Sequence, residues 1–149
     1  EQNASRATEE LTVALKEQID QGLIEVEQRD GKVFVTVGSG GAFPSGTADL
    51  TAEAQRIMDR IALTAMSPDS SITVTGHTDD VPISNGQFRD NWDLGAGRAA
   101  SVVQAIQNTG LISGDRLSAV SKGEMAPLAD NNTAAGREQN RRIEIEISY

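Results

Sequence analysis

The last seven residues constrain the fold most. Ile143, Ile145, Ile147 and Tyr149 alternate with Glu144, Glu146 and Ser148. Successive side chains of a strand point to opposite faces, so this pattern specifies a strand with one buried and one wet face. Strands that can join it are legible upstream. Ile24 and Val26 share a face, Asp30-Gly31 is a hairpin signal, and Val33, Val35 and Val37 share one face of the return strand. Ser71 to Gly76, with Ile72 and Val74 inward, reads as another strand, and Leu117 to Ser121 as a fainter one.

Helical patterns supply the covering layer. In residues 3–21, Ala7, Leu11, Ala14, Leu15 and Ile19 recur at helical spacing, and Gly22 is placed as a stop. That stripe is thin and needs a partner surface, either its own domain or a dimer or upstream stalk. A second helix from Thr51 to Ala65 carries Ala54, Ile57, Met58, Ile61 and Ala65 inward and ends at Ser67-Pro68. A third runs from Asn91, an N-cap candidate, to Asn108, with Ala99, Val102, Val103 and Ile106 on its core face. Gly38 to Gly41, Phe43 to Thr47 and residues 122–136 read as loops. The order helix, hairpin, helix, strand, helix, strand, strand predicts an α/β sandwich, one mixed sheet with helices packed on one side. The expected division is a linker helix over residues 1–22 and a single domain over residues 23–149.

Composition removes several functions. The chain has 149 residues, enough for a real core, and a net charge of -9. That balance argues against nucleic acid and anionic membrane surfaces, which need Lys and Arg to meet phosphates. With no cysteine, disulfides and thiolate chemistry are excluded. No apolar run approaches the ~20 residues of a spanning helix, and no signal peptide is legible. The chain opens on Glu1 rather than Met, so we expect an excised fragment whose anchor lies elsewhere.

Chemistry concentrates in two segments. Thr75-Gly76-His77-Thr78-Asp79 delivers a carboxylate just past a strand, and Arg98 follows nineteen residues later on the third helix. Asn91 and Arg98 are seven positions apart, so they face nearly the same way, about 10.5 Å apart along the axis. Helical side chains lean toward the N-terminus, which brings Arg98 back toward Asn91. Such a pair can hold a zwitterionic amino-acid head, the carboxylate taking its ammonium and the guanidinium fork its carboxylate. The bland alternative is that Asp79 and Arg98 salt-bridge each other, and spacing leaves both open. His77 is the only histidine, whereas zinc normally draws on more His or Cys ligands, so we expect no metal and no cofactor. With no nucleophile elbow and no phosphate loop, we expect no enzyme either.

Three motifs in order resemble the OmpA-like peptidoglycan-binding domain: Val74 to Asp79, Asn91 to Ala100, and Asn140-Arg141-Arg142-Ile143-Glu144. The resemblance covers about Val33 to Tyr149. It implies that Asp79 and Arg98 grip diaminopimelate of the cell-wall stem peptide, with Asn91 at the helix start and Arg141 beside the ligand. Arg142 is expected to face elsewhere, as strand neighbours do. One departure is Leu94-Gly95, where the family usually has Leu-Ser, and Gly97 adds a second glycine; a looser pocket at the helix start is expected. Thr78 to Ile83, Trp92 and Phe43 to Leu50 further resemble the periplasmic region of flagellar stator B subunits of the MotB and PomB type. That implies a wall anchor on a single-pass inner-membrane protein, a homodimer, and a stator A subunit as partner. An outer-membrane or lipoprotein wall anchor of the OmpA and Pal type, without a motor role, is the alternative.

Overall fold

The computed structural model describes residues 2–149. Among these, five strands form one mixed sheet in the order β1-β2-β5-β3-β4. β1 (Ile24–Arg29) and β2 (Lys32–Gly38) form the expected hairpin, with Asp30 and Gly31 both at positive φ. That is the backbone a tight two-residue turn requires, and Gly adopts it without Cβ strain. β5 (Arg142–Ser148) lies between β2 and β3 (Ser71–His77), antiparallel to both. β4 (Leu117–Gly123) lies parallel to β3 on the far edge.

The alternation of β5 sets the register of the core. Ile145 is opposite Val35 on one side and Val74 on the other, and all three are fully buried. The apolar face is covered by α1 (Gln2–Ala14), α4 (Ala52–Thr64) and α5 (Asn91–Asn108), as an α/β sandwich requires. The opposite face carries Thr36, Glu144 and Thr75 in one row.

The N-terminal helical stretch breaks at Leu15 and resumes as α2 (Lys16–Asp20). Of its two possible partners the structure uses its own domain, since Ala4, Ala7, Leu11 and Leu15 join the main core beside β1, β2 and α4. Gly22 at φ 78 ends it: Gly22 N–H bonds Ile19 O and Leu23 N–H bonds Gln18 O, the paired closure that left-handed glycine permits.

Two short helices begin in segments read as loops. α3 (Ser39–Ala42) is one turn after β2. α6 (Ala134–Asn140) follows Thr133, whose Oγ1 accepts from Gly136 N. Neither has an apolar stripe, so periodicity could not announce them. In α6 the buried residues are Gly136 and Asn140 alone. Among the described residues no helix is long and apolar enough to cross a membrane.

Candidate functional site

The site lies where β3 ends and α5 begins. β3 stops at His77, and Thr78 N–H then bonds Gly123 O at the end of β4. This pins the chain so that Asp79 emerges at a fixed point. Its Oδ1 accepts from Val81 N at 3.1 Å, which turns the chain sharply after the strand. Its Oδ2 accepts from Arg141 Nη1 at 2.6 Å. That ion pair replaces the Asp79–Arg98 pair that spacing had left open; Arg98 reaches no carboxylate within 4.0 Å among the described residues.

Arg98 is held by other means. Its Nε donates to Thr47 O at 2.7 Å, and the guanidinium lies 4.8 Å from the centroid of the Phe43 ring. The aromatic face attracts the cation, and the carbonyl fixes its plane. Its two Nη groups donate to no oxygen of the described residues, yet neither is sealed from solvent. Burial pushes the Arg98 pKa down to about 10; repulsion from Arg141 adds to this, and attraction to Asp79 opposes it. The three charges therefore lie near enough to act on one another. Asp79 is 7% exposed and Arg98 5%, so both are recessed, whereas the Arg141 side chain that pairs with Asp79 is 40% exposed.

Asn91 is the first residue of α5 and not its cap. Asp90 holds the cap position, and its carboxylate accepts from Asp93 N at 3.0 Å. A carboxylate is a good cap, and a second acid, Asp93, sits in the same turn. The helix N-terminus thus already carries two acidic side chains, which disfavour an anion there. Asn91 Nδ2 donates to Asp79 O at 3.3 Å and Val81 O at 3.1 Å, with Glu124 Oε1 at 3.4 Å. Its amide ties helix, loop and the segment after β4 together.

Arg141 is aimed by its neighbours. Asn140, fully buried, accepts from Leu128 N and Ala129 N and donates to Ala129 O and Asn131 Oδ1. Arg142 turns away from the cleft, as strand alternation predicts, and its guanidinium bonds Glu144 Oε2, Asn140 O and Ala126 O. His77 Nε2 lies 3.3 Å from Glu144 Oε1, without the alignment of a full hydrogen bond. Sequence reading missed Phe43 and Thr47 as contacts of Arg98. A backbone carbonyl leaves no sequence signal, and a lone Phe beside Pro44 reads as loop.

The glycines of α5 tighten the site instead of loosening it. A Cβ on Gly76 would lie 2.1 Å from Gly95 O, and one on Gly95 would lie 2.5 Å from Ser121 Oγ and 3.1 Å from Gly76 O. α5 therefore rests directly on the β3 backbone, which fixes the distance from Asp79 to Arg98. Gly97 makes room for the Phe88 ring, whose Cε1 would be 2.8 Å from an added Cβ.

Comparison with known proteins agrees with this fold. Motility protein B of Bacillus subtilis (strain 168) is 32% identical over 125 residues, covering 83% of this chain and 48% of the relative. The chain spans about half the length of the curated relatives it matches. Among solved structures, the cell wall anchor of the T6SS from Pseudomonas aeruginosa is 31% identical with a TM-score of 0.84, covering 93% of this chain and 96% of that one. The periplasmic domain of Helicobacter pylori MotB (residues 78–256) is 27% identical with a TM-score of 0.74, covering 84% and 81%. The OmpA family model matches residues 42–141, from the turn before the Phe43 loop to Arg141, and the chain belongs to the OmpA family.

Proposed function

We propose that this domain is a non-catalytic anchor that binds peptidoglycan through the free end of diaminopimelate in the stem peptide. That end carries an ammonium and a carboxylate on one carbon. The observation that carries the reading is the Arg98 guanidinium, fixed by Thr47 O and Phe43, with both Nη groups unused in a cleft that also holds Asp79. Two parallel donors in one plane match a carboxylate. Asp79 serves the ammonium, Asn91 shapes the loop that presents it, and Arg141 lies at the mouth.

Each charge-assisted contact is worth roughly 1.5–3 kcal/mol net, so one site binds modestly. Two copies on a polymeric wall gain through effective concentration, which favours a homodimer. The similarity to motility protein B supports a periplasmic domain of a single-pass inner-membrane protein, paired with an A subunit and holding a flagellar stator to the wall. A second reading, a wall anchor without a motor role, draws on the T6SS anchor, which the chain covers almost completely.

Co-sedimentation with purified sacculi tests the anchor. Wild type pellets with the wall, whereas Asp79→Asn and Arg98→Ala stay in solution with unchanged circular dichroism. Equal pelleting of all three overturns the site, and soluble muropeptides released by wild type overturn the non-catalytic reading. In cells, either substitution in a stator leaves filaments that do not swim; normal swimming speaks for the second reading.

A further inference from the structure

Asp79 is not an empty receptor for an ammonium. Both carboxylate oxygens are engaged, Oδ1 by Val81 N and Oδ2 by Arg141 Nη1 at 2.6 Å. The Asp79 side chain is 10% exposed and that of Arg141 40%, so the guanidinium covers the carboxylate from the solvent side. Arg98 lies near enough for Arg141 to repel its charge. Two guanidiniums thus bear on the one Asp79 carboxylate.

A ligand offering only an ammonium meets a carboxylate that is already neutralised. It must displace a tethered guanidinium, which competes at high effective concentration, and it gains repulsion from Arg98. A ligand with ammonium and carboxylate on one carbon exchanges partners instead. Its ammonium takes Asp79, and its carboxylate takes the unused Nη groups of Arg98 and neutralises the displaced Arg141. One ion pair becomes at least two.

We propose that Arg141 is a specificity-determining residue: it reserves Asp79 for ligands that bring their own carboxylate, so the cleft accepts diaminopimelate and rejects the bare ε-ammonium of lysine at the same stem position. This deepens the anchor reading above and rests on it.

The test compares two soluble tripeptides, L-Ala-γ-D-Glu-diaminopimelate and L-Ala-γ-D-Glu-L-Lys, titrated calorimetrically into the chain and its variants. Wild type binds the diaminopimelate peptide more tightly by at least about tenfold, the value of one charge-assisted contact. In Arg141→Met the lysine peptide binds more tightly than to wild type, and the preference falls by about tenfold or more. Arg141→Lys, which keeps a tethered cation, retains most of it. A preference unchanged in Arg141→Met, or parallel loss of both peptides, overturns the proposal and leaves the anchor reading standing. Wild type that binds neither peptide sinks both.

Discussion

Arg98 occupies a place that a folding core would not choose. Its pKa is pushed down to about 10, chiefly by burial. A cation whose folded pKa lies below its unfolded value costs stability wherever it is charged, and the cost is relieved as pH rises through 10. Phe43 and Thr47 O offset part of it. Phe43→Leu keeps the volume roughly and removes the aromatic face. We expect binding to sacculi to weaken several-fold with a melting temperature lowered by only a few degrees, since cation–π contacts are worth about 0.5–2 kcal/mol. Asn140 is the opposite case, a fully buried amide whose four hydrogen bonds shape the backbone before Arg141. Asn140→Ala leaves the Leu128 and Ala129 N–H groups, both only partly buried, without their acceptor, and we expect about 1–3 kcal/mol lost in urea denaturation.

At the scale of elements, the junction of α5 with β3 decides the site. Gly76→Ala drives a Cβ into the Gly95 carbonyl, backbone against backbone, where neither side yields. We expect a loss at or beyond the upper end of the ~1–3 kcal/mol typical of overpacking, measured by urea denaturation. Gly95→Ser meets Ser121 Oγ, which can rotate at the loss of its bonds to Trp92 O and Gly123 N, and presses on Gly76 O at 3.1 Å, so its cost is smaller than that of Gly76→Ala but not absent.

The sheet was legible in sequence because its faces differ. The alternation in Ile143 to Ile147 and Val33 to Val37 could satisfy only a strand with one covered face, and α5 spans the Asn91 to Asn108 read for it, one residue after its true cap. α6 was hidden because its work is hydrogen bonding by Asn140, not burial of a stripe. Of the residues named from motifs and spacing, the structure brings Arg141 and Asn91 against Asp79, with Arg98 near enough to be repelled by Arg141. Their pairing was not legible. That Arg141 and not Arg98 meets Asp79 depends on the meeting of α6 and β5, sixty-two residues from Asp79 in sequence.

At the scale of the molecule, the wet face of the sheet carries an acid-sensitive group. His77, then Arg142, holds the Glu144 carboxyl down to about 2. A carboxyl with a depressed folded pKa contributes stability that is complete above its unfolded value near ~4.3 and lost as pH falls toward 2. Glu144→Gln should therefore be less stable at neutral pH and show a flatter loss of stability between pH 5 and 2, read as melting temperature against pH. Glu144 is partly exposed, so screening keeps the effect small. The net charge of -9 repels other acidic surfaces, and the cleft sets a local excess of guanidinium within that negative field.

The central claim is that Arg98 and Asp79 share one zwitterionic head, and a crystal structure of the chain soaked with the diaminopimelate tripeptide tests it most directly. The account predicts the terminal carboxylate of diaminopimelate on the Nη groups of Arg98 and its ammonium within hydrogen-bond distance of Asp79 Oδ2, with Arg141 displaced. A peptide seated elsewhere, or one that leaves the Arg98 Nη groups unliganded, would contradict it.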